Sequence, residues 1–244
     1  MASQNTNRPA LVPRLKKLFY SRMERPRQRY HDTITELTST RDARVLDIGC
    51  GSKAPQLHSL EIADAVKIGV DLADHFYSSD DPNVFLMCAD SAELPFQSQT
   101  FDVAICRSVL EHLYEPQKVF HEVFRVLRPG GQFVFLTPNM WDYVSLAASV
   151  IPNRLHGPIV RLLTGRPEED TFPTYFRANT VTQLSRLAHH AGFETVQMIR
   201  LREHPHYLQI NAGLYLIGIA FEQFVQKHLI ALRPWILGVL RRPL

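Results

Sequence analysis

Three acids and two glycines at the ends of apolar runs are the residues of this chain best suited to hold a ligand. The run Val45-Leu46-Asp47-Ile48 passes into Gly49-Cys50-Gly51-Ser52-Lys53-Ala54, and a second run, Val66–Val70, closes on Asp71. Glycines in such a loop let backbone N–H groups approach a ligand, and an acid ending the next strand can accept from both hydroxyls of a ribose. The spacing fits a loose G-x-G-x-x-G/A, which alone also suits a nicotinamide coenzyme. Asp47 and Asp90 add what that coenzyme does not need. Asp47 can accept from loop amides or face an ammonium, and Asp90, after the run Val84–Cys88, can accept from a purine amine. A ligand with an ammonium, a ribose diol and an adenine amine uses all three acids and needs no pyrophosphate cradle. S-adenosylmethionine carries these groups.

The elements that must position these residues alternate in kind. Strands are expected at Val45–Ile48, Val66–Val70, Val84–Cys88, Phe101–Cys106 and Gln132–Leu136. A short helix is expected near Pro55 and a longer one over Glu115–Leu127, stopped by Arg128-Pro129-Gly130-Gly131. The expected fold is α/β, a doubly wound, mostly parallel Rossmann-like sheet with helices on both faces. Later, Thr180–Ala191 reads as a helix with Asn179 as its N-cap and Gly192 as its stop, and Phe193–Leu201 as a strand. Three regions follow: a basic helical arm at 1–42, with a helix at Leu11–Tyr20; a ligand-binding domain at 43–207, carrying an insertion at about 140–178; and an apolar extension at 208–244, read as helical.

Taken in order, Val45–Gly51, Gly69–Asp71, Ala89–Phe96, Phe101–Ile105 with Leu110-Glu111-His112-Leu113, and Arg125–Gly131 resemble the class I S-adenosylmethionine-dependent methyltransferases. The resemblance covers about residues 43–139 and is greatest to the branch that includes the ubiquinone and menaquinone biosynthesis enzymes. It implies that Gly49, Cys50 and Gly51 approach the methionine part of the cofactor, with Asp47 supporting the loop. It implies that Asp71 binds the ribose, with Leu72 beside it among the cofactor residues. Asp90 is implied at the adenine amine, with Ser91 next to it, and Arg107 is implied to offer backbone to the cofactor amine. The family's usual finish is an antiparallel pair of strands, of which only the first is clear here.

Methyl transfer from a sulfonium needs proximity, alignment and exclusion of water, and a base only where the acceptor loses a proton. His112 is the candidate base. Its alternative role is to support the loop. Tyr175 and Arg177 are candidates to orient an acceptor, or to pack a lid. Nothing calls for a metal. A nicotinamide-dependent oxidoreductase and a non-catalytic membrane-associated scaffold are the alternative functions. The first leaves Asp47 and Asp90 without purpose, and the intact cofactor positions argue against the second.

The chain has 244 residues, 45% hydrophobic, with net charge +3. That suits one α/β domain with additions. Basic residues crowd the start (Arg8, Arg14, Lys16, Lys17, Arg22, Arg25, Arg27, Arg29) against the one acid Glu24. Such a cluster suits phosphate, whether of lipid or nucleic acid, or simply water. A nucleic-acid substrate is not expected, because no Asn/Asp-Pro-Pro-aromatic motif of the base-flipping enzymes is present. The three cysteines (Cys50, Cys88, Cys106) lack metal spacing and read as reduced, buried thiols of a cytoplasmic protein. The expected acceptor is a small molecule or lipid-linked. The segment from Leu208 onward suits either peripheral contact with the inner face of a membrane or burial against the fold or in a homodimer.

Overall fold

Strand β1 (Arg44–Ile48) is an interior strand of a seven-stranded sheet, and its apolar residues are buried from Val45 onward. The computed structural model describes residues 11–39, 42–62, 65–72, 81–142, 173–205, 209 and 211–244. The other strands are β2 (Val66–Asp71), β3 (Val84–Cys88), β4 (Phe101–Arg107), β5 (Leu127–Pro138), β6 (Glu194–Leu201) and β7 (Trp235–Arg241), in the spatial order β3-β2-β1-β4-β5-β7-β6. From β3 to β5 every neighbouring pair is parallel. Two carboxyl-terminal junctions therefore point the same way: Asp47 lies opposite Gly69 of β2 and Ile105 of β4.

The helices are α1 (Leu11–Tyr20), α2 (Pro26–Leu37), α3 (Pro55–Ser59), α4 (Pro116–Val126), α5 (Val181–Ala191) and α6 (Ala212–His228). Pro116 opens α4, where a missing N–H costs nothing, and Val119, Phe120, Val123 and Val126 form its buried face. Phe120 meets Phe133 edge-on, with ring centroids 5.6 Å apart, and this pair sits in the main core. At the far end of α4, the Arg242 guanidinium donates to the carbonyls of Phe124, Arg125 and Leu127 at 2.8–3.1 Å and stacks on the Phe124 ring. A cation there satisfies carbonyls that a helix end leaves open.

The C-terminal segment departs from the helical expectation. Between Asn211 and Leu240 the helical parts are α6 and one short turn, Ile230–Leu232, and Trp235–Arg241 is strand β7. Gly130 N–H donates to the Arg242 carbonyl and Arg242 N–H to the Gly131 carbonyl, while Asn139 N–H donates to Pro234 at the other end. β7 thus runs antiparallel to β5, and the seventh strand left open by the sequence is present. The physical reason lies in Val239, Leu240 and their neighbours, which are buried between two strands and carry no helical stripe. Gly238 faces Phe135 so closely that an added Cβ would overlap the ring. Two smaller corrections concern caps and thiols. Thr180, not Asn179, is the N-cap of α5 and forms a capping box with Gln183. Cys88 is exposed on the edge strand β3, whereas Cys50 and Cys106 are buried.

Two compact units divide the chain. One comprises Pro26–Pro138, Thr174–Ile199 and Ile236–Leu244. The second contains α1, α6 and the residues around them, with Val12, Tyr20, Tyr215 and Ile219 as its core. Most of the insertion expected at about 140–178 lies outside the described residues.

Replacing Gly238 by alanine is expected to destabilise the protein by about 1–3 kcal/mol, the usual cost of overpacking a filled site. Urea unfolding of Gly238→Ala would measure it, and an unchanged midpoint would show that Phe135 moves aside freely.

Candidate active site

Gly49 begins the site because two constraints meet there. Its φ is +69°, and an added Cβ would overlap the Val109 side chain. The loop folds over the end of β2: Gly49 N–H and Cys50 N–H both donate to the Val70 carbonyl, at 2.8 and 3.1 Å. Gly51 N–H donates to Asp71 Oδ2 at 2.7 Å. Around Gly51 an added Cβ would meet nothing within 4 Å, so the loop borders open space. Leu72, next in the chain, is 72% exposed. An apolar side chain left in the open beside a carboxylate suits the face of a base above a ribose.

Asp47 lies beneath this loop and is 3% exposed. Burial pushes its carboxyl up to about 8, Arg107 pulls it down, and Asp71 pushes it further up. A cationic ligand group would favour the ionised form. Arg107 ends β4, and Ser108 after it takes a left-handed conformation, φ +56°, with its N–H on the Leu136 carbonyl.

On the β3 side, Asp90 turns its own loop: Oδ1 accepts from Ala92 N–H at 2.8 Å. A staple from α4 then fixes the following residues. Leu94 N–H donates to Glu122, and Arg125 donates to the carbonyls of Leu94 and Phe96 while pairing with Glu122 at 2.7 Å. Asp90 and Ser91 are thereby held at the end of β3.

The third wall grows from a single turn, Leu110–His112. Glu111 is buried, and burial raises its carboxyl above the usual range. Thr137 Oγ1 donates to it at 3.3 Å, and Asn179 Nδ2 donates to Thr137 at 2.7 Å. Tyr175 and Phe176 N–H donate to the Glu111 carbonyl. This network brings Tyr175 and Arg177 to the turn that carries His112, whose Nε2 lies 4.0 Å from Glu111. Arg177 stacks over Tyr114, 4.2 Å from the ring centroid, and donates to its carbonyl at 2.7 Å. Tyr175 meets the same ring edge-on.

The structure thus gathers Asp47, Gly49, Cys50, Gly51, Asp71, Leu72 and Arg107 around one loop, puts Asp90 and Ser91 on the next strand end, and groups His112, Tyr175 and Arg177 on one turn. Sequence reasoning missed Tyr30 and Tyr114. Tyr30 is a fully buried residue of α2, and Asp47 and Arg107 are its charged neighbours. Its signal was faint, a lone aromatic among charged residues. Tyr114, 60% exposed, carried the clearer one: an aromatic directly after Leu-Glu-His-Leu.

Because Asp47 binds its proton more tightly folded than unfolded, its contribution is complete below about pH 4 and is lost as pH rises toward about 8. Urea unfolding across that window should show stability falling more steeply in the wild type than in Asp47→Asn. Parallel curves would remove the burial argument.

Comparison with known proteins accords with this geometry. Residues 46–135 match the family model of the methyltransferase domain. A ubiquinone biosynthesis O-methyltransferase of Coxiella burnetii is 29% identical over 112 residues, 43% of this chain and 48% of that protein. A protein of Mycolicibacterium smegmatis, described as a probable S-adenosylmethionine-dependent methyltransferase, is 30% identical over 173 residues, 68% of this chain and 58% of that protein. The chain thus spans about half the length of these curated relatives. The crystal structure of an S-adenosylmethionine-dependent methyltransferase from Mesorhizobium loti shares the fold, with TM-score 0.58 at 17% identity over 89% of this chain and 98% of that one.

Proposed function

We propose, from the premise that residues 46–135 form a class I S-adenosylmethionine-dependent methyltransferase domain of the ubiquinone-biosynthesis-like branch, that this chain binds S-adenosylmethionine and transfers its methyl group in line to a small-molecule or lipid-linked acceptor. The observation that carries this reading is the Gly51 N–H on Asp71 Oδ2 above the buried Asp47. It ties Asp71, read as the ribose acid, to the glycine loop that follows Asp47, read as the ammonium acid. The open space at Gly51 fits a ligand there.

Bound S-adenosylmethionine supplies a methyl group already activated on a cationic sulfur. The chain's own residues bind and align it. Asp47 accepts from the ammonium, and the Arg107 backbone lies beside the same group. Asp71 accepts from the ribose hydroxyls, and Leu72 covers the base. Asp90 accepts from the adenine amine, with Ser91 beside it. On the acceptor side, Tyr175 and Arg177 orient the incoming group, and the stacked Tyr114 gives them a fixed base. Where the acceptor is a hydroxyl, as the name of the Coxiella relative suggests, His112 takes its proton. A lipid-linked acceptor would place the protein in the cytoplasm, at the inner face of a membrane.

Calorimetry tests the cofactor half. Asp71→Ala should cost about 2–3 kcal/mol, which is tens- to hundreds-fold in affinity, while the protein stays folded. Below pH 8 cofactor binding should release a proton from Asp47, so affinity should climb toward that pH and then level. Affinity that is flat with pH, or unchanged in Asp71→Ala, would sink these assignments.

The acceptor half has its own test. Tyr175→Ala and Arg177→Ala should raise the acceptor KM or lower turnover with cofactor affinity little changed. Wild-type rates in both would remove these residues from the acceptor wall.

A further inference from the structure

Helix α6 is apolar on both its inward and its outward face. Tyr215, Ile219, Glu222 and Val225 face inward, so the single acid of α1 and α6 is buried. Tyr20 Oη donates to it at 3.2 Å, Arg202 stands 3.8 Å away, and burial raises its carboxyl. The outward stripe is Leu214, Ile217, Phe221 and Phe224, spaced by three or four residues, and these are 44–67% exposed. A helix in contact with water usually carries the opposite polarity.

α1 packs beside α6 across a shared core. Val12 and Tyr20 point into the shared core, which leaves Leu11, Arg14, Lys17 and Leu18 on the outside. Leu18 is 73% exposed. Every fully exposed charge on the two helices is basic or a histidine: Arg14, Lys17, Lys227 and His228. Apolar groups this numerous exceed the scattered exposure of an ordinary surface. Among the described residues no helix is long and apolar enough to cross a membrane.

We propose that the exposed sides of α1 and α6 dock on the surface of an anionic lipid bilayer, with the apolar stripe at the boundary between headgroups and acyl chains and the basic residues at the headgroups. The charge pattern decides the occupant. A second copy would bring the same basic residues against each other, whereas anionic headgroups complement them. This inference rests on the lipid-linked form of the acceptor reading above, and it names the surface that would bring the enzyme to such an acceptor.

The test uses the full chain, because a truncation before Trp235 would remove β7. Sedimentation is measured with vesicles of phosphatidylcholine alone and with added phosphatidylglycerol. The protein should pellet with the phosphatidylglycerol vesicles at low salt, several-fold less at high salt, and little with phosphatidylcholine. The double variant Ile217→Glu/Phe221→Glu, on exposed positions, should lose pelleting while its S-adenosylmethionine affinity is unchanged. Arg14→Glu/Lys17→Glu should weaken pelleting. Wild-type protein that stays in the supernatant at low salt overturns the proposal, as does a double variant that pellets normally. Equal pelleting with neutral vesicles overturns the anionic assignment. Self-association abolished by the double variant, without vesicle binding, overturns it in favour of a second copy. Calorimetry on the same preparations separates the two readings: a chain that pellets but binds no S-adenosylmethionine fails as a methyltransferase and not as a membrane-docking protein.

Discussion

Asp47 is held in a strand paired on both sides, and it is buried. The arrangement is costly for the ionised form, and burial raises the group to about 8. The neighbouring elements can be read as answers to that cost. Arg107 comes from β4 to face it, and Asp71 is drawn onto Gly51 N–H. Tyr30 stands by with a buried hydroxyl. A cation arriving from outside completes the balance. Under the proposed reading, the ligand's ammonium is that cation.

Much of this was legible in the residues. The apolar runs marked β1 to β5, and the acid at the end of each of the first three marked where a ligand could sit. Periodicity placed α1, α4 and α5. Legibility failed where neighbours decide. Trp235–Arg241 is apolar in either conformation, and only burial between β5 and β6 makes it a strand. Asn179 had the chemistry of an N-cap, but its amide is spent on Thr137 and the Pro138 carbonyl. The grouping of Tyr175 and Arg177 with His112 depends on Glu111, a buried acid whose backbone carbonyl and side chain both anchor distant segments. No local pattern announces such a role.

The two units differ in what their helices show to the outside. In the unit that holds the glycine loop, apolar side chains are inside and the buried charges have facing partners. In the α1–α6 unit, an acid is inside and leucine, isoleucine and phenylalanine are outside. Tyr20 and Arg202 make the buried Glu222 tolerable. Its inward position leaves the outward faces of α1 and α6 without a carboxylate.

β7 is last of the seven strands in sequence but lies between β5 and β6 in space. During synthesis β6 emerges before its neighbour in the sheet, and the edge it turns toward β5 waits for a segment made some thirty residues later. The sheet therefore cannot close progressively from one end. Its final interlocking step comes as β7 slides into the gap and Arg242 reaches the end of α4. Until then the nascent protein exposes two unpaired edges, and that interval is when it most needs protection from aggregation.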